Sequence, residues 1–91
     1  MTLIEVKTAM RNHLAVQVCG ATAAKLYGKI KYRRIQRINF QYGKDGKPYY
    51  TAELVAERNV LYCGIEDVEL SDDVPTMVRA EFEKMTKEEQ T

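Results

Sequence analysis

The feature that most constrains the fold is a long alternating stretch broken by a single turn signal. Apolar and aromatic side chains fall mostly on the even positions of residues 30–42, and the even positions carry them again in residues 48–57. Gly-Lys-Asp-Gly-Lys, residues 43–47, separates the two runs. A period of two is typical of strands with one buried face, and Asp-Gly favours a tight hairpin turn. The sequence therefore predicts a β-hairpin.

The register of this hairpin follows from its loop length. A two-residue Asp45-Gly46 loop would set Ile38 opposite Glu53 and mix apolar with charged side chains on both faces. A loop of residues 44–46, with Gly46 in the left-handed conformation, avoids this and is the register that we predict. Its inner pairs are Phe40 with Tyr50, Ile38 with Ala52 and Gln36 with Leu54. Its outer pairs are Arg37 with Glu53, Ile35 with Val55 and Arg33 with Glu57.

Helices are predicted on both sides of the strands. Thr2 and Glu5 form a capping box that opens a first helix within residues 2–14, and acids before Pro75 favour a C-terminal helix over residues 74–88 with a frayed tail. Short strands are predicted at residues 15–19, at 60–63 and at the end of 65–70. The predicted fold of the single domain, residues 1–91, is α+β: a curved antiparallel sheet of four to five strands within residues 15–70, with SH3-like barrel character and a helix at each end.

Residues 21–38 allow two interpretations. A basic amphipathic helix would place Tyr27, Ile30 and Ile35 on one face, and the spacing around Gly28 is similar to that of a helix-turn-helix. The apolar positions that should follow the glycine instead hold charged residues, and Gly28 weakens a continuous helix. We therefore prefer a short helix over residues 21–27 followed by a strand.

Charge is sorted along the chain. Residues 25–47 carry a net charge of +7 and residues 53–91 a net charge of −7, although the whole chain of 91 residues carries only +1. A distribution with two signs governs association and orientation rather than the fold. We therefore look for function in binding surfaces.

The basic segment supplies the candidate binding residues. On a strand, Lys29, Lys31 and Arg33 would project from one face about 6.6 Å apart, a spacing compatible with every second phosphate of an extended nucleic acid. Nearby tyrosines would offer stacking surfaces. The candidates for contact with nucleic acid or a partner are Lys25, Lys29, Lys31, Tyr32, Arg33, Arg34, Arg37 and Tyr49. We rank an ordinary solvated face first, because the predicted register pairs Arg33 and Arg37 with acids.

No motif indicates an enzyme, a cofactor, a metal site or a small-molecule substrate. Cys19 and Cys63 lack zinc-ligand spacing and are predicted to be free thiols rather than a disulfide. His13 suits a helix end, and the acidic pairs at 66–67 and 72–73 suit a turn and a helix entry. The apolar runs are too short to span a bilayer, so we expect a cytoplasmic protein that does not contact membranes.

Part of the pattern resembles a known group of proteins. The segment Tyr32-Arg33-Arg34-Ile35, then Tyr50-x-Ala52-Glu53-Leu54 and a closing segment at 65–70 are similar to small uncharacterised proteins of Gram-positive prophages and conjugative elements. The resemblance covers about half of the chain, whereas residues 21–30 are an insertion relative to that group. It implies a mobile-element setting and no particular activity.

The predicted function is that of a non-enzymatic interaction module that binds nucleic acid through its basic face. The alternative is a protein-protein adaptor or self-associating module, in which the basic segment of one molecule meets the acidic C-terminal helix of another. Opposite charges on one chain favour this alternative.

Overall fold

The computed structural model describes the backbone of residues 1–90 and the side chains of residues 1–88. This part of the chain folds into three helices and six strands. The helices are α1 (Leu3–Arg11), α2 (Gly20–Lys25) and α3 (Thr76–Gln90). The strands are β1 (Val16–Val18), β2 (Lys31–Tyr32), β3 (Arg34–Tyr42), β4 (Pro48–Val55), β5 (Val60–Gly64) and β6 (Val68–Leu70).

The six strands form two antiparallel sheets of three strands each, and this corrects the prediction of one sheet of four to five strands. One sheet has the order β2-β1-β6 and the other β3-β4-β5. Within the described residues neither sheet closes, so the structure is α+β without a closed barrel. The cause is two breaks in the chain: a bend at Arg33 separates β2 from β3, and a 3-10 turn at Ile65–Asp67 separates β5 from β6.

The predicted hairpin register is confirmed near the turn. Phe40 lies opposite Tyr50, Ile38 opposite Ala52 and Arg37 opposite Glu53. The amide of Gly46 donates to the carbonyl of Gly43 at 3.0 Å, and Gly46 has a φ of 79°. Only glycine adopts this left-handed conformation without strain, which explains the three-residue loop.

A β-bulge at Gln36 makes the predicted register wrong further from the turn. Beyond it Ile35 lies opposite Leu54, and Arg34 opposite Val55. Ile35 was predicted on the outer face, but it is 1% exposed and lies in the core. Ile35 and Ile38 stand three positions apart, so strict alternation would send one of them to solvent. The extra residue of the bulge brings both to the inner side of the sheet.

The helices cover this inner side. The capping box of α1 is confirmed, with the Thr2 hydroxyl accepting from the Glu5 amide at 3.2 Å. The helix ends at Arg11, two residues before the end that we placed near residue 13, and His13 follows with a φ of 53°. The buried apolar core is Val6, Ala9, Val16, Val18, Tyr32, Ile35, Ala52, Leu54, Cys63, Val68, Leu70, Val74 and Phe82.

The two uncertain helical regions are also resolved. Residues 20–25 form α2 and the chain extends again at β2, so the short helix followed by a strand is confirmed and the long amphipathic helix is wrong. The C-terminal helix begins at Thr76, after Pro75, rather than at 74. The frayed tail was predicted after residue 88, beyond the last described side chain, and Thr91 lies outside the described residues.

Candidate nucleic-acid interface

Three cations of the predicted stripe do not share one strand face, and each meets an acid of the same molecule. Lys29 precedes β2, Lys31 lies in β2, and Arg33 occupies the bend before β3. The Nζ atom of Lys29 lies 3.5 Å from Glu69 Oε1, and that of Lys31 lies 2.9 Å from Asp73 Oδ2. Arg33 pairs with Glu57, as predicted. All three side chains are about half or more exposed, so these pairs stabilise the fold little.

The fourth ion pair differs because its acid is buried. Arg37 Nε lies 3.6 Å from Glu53 Oε2, and the Glu53 side chain is 7% exposed although that of Arg37 is 67% exposed. Burying a carboxylate is expensive unless a cation and hydrogen bonds compensate it. The Glu53 carboxylate therefore holds the Arg37 guanidinium against the sheet, because this buried carboxylate cannot turn toward solvent.

The side-chain nitrogens of four of the predicted cations and turn lysines have no acidic oxygen within 4.0 Å in the described part of the chain. These residues are Lys25, Arg34, Lys44 and Lys47. Lys25 ends α2, Arg34 begins β3, and the two lysines flank the hairpin turn. Among the described side chains, the acids that pair with the basic segment come from β4, β6 and the loops beside them, and none comes from α3. The two halves of the chain thus neutralise each other in part within one molecule.

The two predicted stacking tyrosines have different environments. Tyr32 is 8% exposed and belongs to the core, where burial raises its pKa, so its ring has no free face for a base. Tyr49 is 42% exposed, and its hydroxyl donates to Gln41 Oε1 at 2.8 Å. Of the pair, only Tyr49 remains a candidate for stacking.

Tyr49 shares the outer face of the β3-β4-β5 sheet with two predicted arginines. Residues that lie opposite one another across antiparallel strands point to the same side. The outer face consequently carries the partnered rows Gln41 with Tyr49, Asn39 with Thr51 and Gly64, Arg37 with Glu53 and Tyr62, and Arg34 with Val55 and Val60. Ile38, Ala52 and Cys63 point to the opposite side, toward the core.

Tyr62 is the residue of this face that sequence reasoning missed. It is 62% exposed, and its hydroxyl donates to Glu53 Oε1 at 2.8 Å. This hydrogen bond to the carboxylate raises the pKa of Tyr62. Glu53 Oε2 is buried without a hydrogen-bond partner and has only the Arg37 guanidinium nearby. The signal was available, because placing 60–63 beside 52–55 in a continuing meander would have set Tyr62 next to Glu53.

The remaining reactive side chains of the described residues include two thiols. Cys19 and Cys63 are both free, as predicted, and burial together with Asp67 and Glu66 raises the pKa of Cys63 to about 11. A thiol with a raised pKa is a poor nucleophile. Asp67 accepts from the Thr22 hydroxyl at 2.8 Å, which gives this carboxylate a structural role.

The described residues offer neither a metal-binding cluster nor a membrane-spanning helix. They contain no cluster of three or more His, Cys, Asp or Glu side chains able to hold a metal ion. They also contain no helix with the length and apolar character needed to cross a bilayer. Comparison with protein-family models, with curated proteins and with solved structures found no match.

Proposed function

We propose that the protein is a non-enzymatic module that binds single-stranded nucleic acid through the outer face of the β3-β4-β5 sheet. The observation that carries the proposal is the row Arg37, Glu53 and Tyr62. A buried carboxylate holds a guanidinium on one side and an exposed aromatic ring on the other. Both groups are thereby preorganised for a ligand, since neither has to lose its side-chain freedom on binding.

The layout of the face suits an extended strand of nucleotides. Tyr49 and Tyr62 offer two rings to solvent, and base stacking on such rings is tolerant of sequence. Arg34 at one end and Lys44 and Lys47 at the turn supply cations without ion pairs in the described residues. At about 3.3 Å per residue the distance from Arg34 to Lys44 is roughly 33 Å, which is enough for a short single-stranded segment.

Fluorescence anisotropy with labelled oligothymidine tests the proposal. We expect affinity to fall with salt, and Arg34→Ala to reduce the slope of log affinity against log salt by about 0.7, the value for one contact on a single strand. Tyr62→Ala should weaken binding by about tenfold or more through lost stacking, while Tyr62→Phe should keep most of the affinity. The matched control is Lys84→Ala, which removes one positive charge from α3.

Two results would contradict the proposal. If oligothymidine does not bind at low salt, the proposal that the protein binds nucleic acid is wrong. Equal salt slopes for Arg34→Ala and Lys84→Ala would show that any binding is diffuse and does not use this face.

A protein-protein adaptor is the second candidate, and one observation favours it. Met77 is 83% exposed and Val78 37% exposed near the start of α3, so this helix presents apolar side chains beside the acids Glu81 and Glu83. The intramolecular ion pairs of Lys29, Lys31 and Arg33 weaken the original argument for pairing with another molecule's α3. Light scattering over a concentration range at low and high salt tests self-association, and a monomer throughout would remove it.

Three finer expectations belong with this proposal. The order β6-β1-β2, followed across Arg33 by β3-β4-β5, supports an open arrangement with SH3-like character, and a 3-10 turn precedes the last strand. The mobile-element setting remains a prediction of the resemblance. The cytoplasmic location remains a prediction of the composition.

A further inference from the structure

A groove lies on the opposite side of the β3-β4-β5 sheet, between α1 and β3. It has a volume of about 570 Å³, and its apolar lining comes from Leu3, Met10, Ile38, Phe40 and Tyr50. Phe40 is 51% exposed, although it makes a tilted contact with Tyr50 at 5.3 Å between ring centroids and an edge contact with Tyr42 at 5.1 Å. Exposed aromatic clusters of this kind mark sites of interaction.

The strand beside the groove has a free edge. β3 pairs with β4 and with no other strand in the described residues. The amide of Gly43 donates across the hairpin to the carbonyl of Lys47 at 2.9 Å. Backbone direction alternates along an antiparallel strand, so Ile38, Phe40 and Tyr42 point their N–H and C=O groups away from β4. These three residues therefore offer backbone groups to a new strand, and Ile38 and Phe40 also line the groove with their side chains.

The charge of the groove selects among extended ligands. Its lining includes Lys7 and Arg11 and no acidic residue, and Arg37 also borders it, although the Arg37 guanidinium pairs with Glu53 on the outer face. Lys7 is exposed on α1 and has no acidic oxygen within 4.0 Å in the part of the chain that the structure describes. An incoming strand with acidic residues would meet complementary charge along the helix side.

We propose that this groove binds an extended acidic peptide that adds to the free edge of β3 as a further strand. Main-chain hydrogen bonds to residues 38–42 would supply affinity. Apolar side chains at alternate, inward-facing positions would fill the space beside Phe40 and Met10, and an acidic side chain at one further inward-facing position would lie near Lys7. The bulge at Gln36 limits pairing to the part of β3 nearer the turn, because a bulge disrupts regular pairing. This site lies on the face opposite the proposed nucleic-acid face and does not depend on it.

The test uses the full chain and a capped glutamate-valine heptapeptide, in which valine and glutamate share the alternate positions 1, 3, 5 and 7 and threonine fills the others, followed by amide NMR. We expect the amide signals of Ile38, Phe40 and Tyr42 to shift and their hydrogen exchange to slow by about tenfold at saturation, because new backbone hydrogen bonds protect them. The same peptide with proline at alternate positions should leave these signals unchanged, since proline cannot donate. A lysine-valine peptide should bind at least fivefold more weakly, as judged from the size of exposed charge effects.

Variants separate this site from the outer face. Phe40→Ala should weaken the glutamate-valine peptide by about tenfold. Lys7→Glu, on an exposed helix position that leaves the fold intact, should weaken it by about fivefold. Tyr62→Ala is the matched control and should not change peptide affinity. Unchanged signals at residues 38–42, or equal affinity for the wild type and Lys7→Glu, would overturn the proposal.

Two further results would assign the groove or the edge of β3 to a different ligand and would overturn the proposal. Shifts at residues 38–42 that grow with protein concentration and occur without peptide would assign the edge to a second copy of the chain. Shifts at these residues with oligothymidine, and none with the peptide, would assign the groove to nucleic acid.

Discussion

The two ends of the β3-β4 hairpin share one alternating pattern and have opposite environments. At the end far from the turn Ile35 and Leu54 are 1% and 0% exposed, whereas Phe40 and Tyr42 near the turn are 51% and 69% exposed. All four lie on the same side of the sheet. Alternation therefore specifies a strand and its register, but burial depends on which other elements reach that side.

The largest difference between the two ends should appear when a side chain is truncated. Leu54→Ala should lower the free energy of unfolding by about 3 kcal/mol, because it removes buried contacts and leaves a cavity. Tyr42→Ala, at the turn end, should change it by only about 0.5 kcal/mol, as for most exposed positions. Urea unfolding followed by circular dichroism measures both. Equal losses would show that the turn end is also part of the core.

A smaller difference in the free energy of unfolding is expected between two ion pairs of this hairpin, Arg37 with Glu53 and Arg33 with Glu57. Arg37→Ala should cost about 1–2 kcal/mol, because it leaves the buried Glu53 carboxylate without its cation. Arg33→Ala should cost less than about 1 kcal/mol, since the Arg33 and Glu57 side chains are 67% and 75% exposed. Unfolding at low and high salt measures the two, and adding Glu53→Gln to Arg37→Ala should recover part of the loss. An equal cost for the two arginines would contradict the role given to Glu53.

Gly46 in the turn allows the effect of backbone strain to be tested without a side-chain clash. Gly46 has a φ of 79° and no atom within 4 Å of an added Cβ, so Gly46→Ala introduces backbone strain without a clash. We expect a loss of about 1 kcal/mol in unfolding free energy. Gly46→Asn should lose less, because asparagine tolerates the left-handed region. If the alanine variant were as stable as the wild type, the three-residue loop would be wrong.

Cys63 lies opposite Ala52 at the buried end of the hairpin. Of the effects expected here, titration of its thiol should change the free energy of unfolding least near neutral pH. Its pKa in the folded protein is about 11, against 9.0 for an ordinary thiol. The folded state thus holds the proton more tightly, so this stabilisation is complete below pH 9 and is lost as the pH rises from 9 to 11. Unfolding midpoints across this range should fall more steeply in the wild type than in Cys63→Ala.

Thiol labelling gives an independent check of the same group. At pH 8 the folded protein should hold about a hundredfold less thiolate at Cys63 than an ordinary cysteine would, so labelling in the native state should be slow and should accelerate in urea. Rapid native labelling of Cys63 would contradict its burial.

Much of the fold was accessible from local sequence signals. The capping box at Thr2, the loop ending at Gly46 and the closing strand before Ser71 each depend on a few neighbouring residues, and each is confirmed. The bulge at Gln36 and the division into two sheets could not be predicted in the same way. Both depend on which distant residues share a core, and the spacing of Ile35 and Ile38 was the one local trace of the bulge.

The candidate site was less accessible than the fold. Arg34, Arg37 and Tyr49 do lie on one face, but Tyr32 is buried, and the acids that meet Lys29 and Lys31 are about 40 residues away along the chain. Pairing partners at that separation follow from tertiary structure alone. The prediction that Arg33 and Arg37 meet Glu57 and Glu53 succeeded because both pairs lie within a single hairpin.

The single unpaired residue in β3 also has an evolutionary consequence. Because Gln36 is the extra residue of the bulge, a lineage that lost it would keep every other residue of β3 on its present face, whereas a deletion elsewhere in the strand would exchange the two faces on one side of the gap. An alignment would record such an event as a one-residue gap. Without Gln36 the spacing of Ile35 and Ile38 would be two positions instead of three, so a shortened spacing would mark a chain that lacks the bulge.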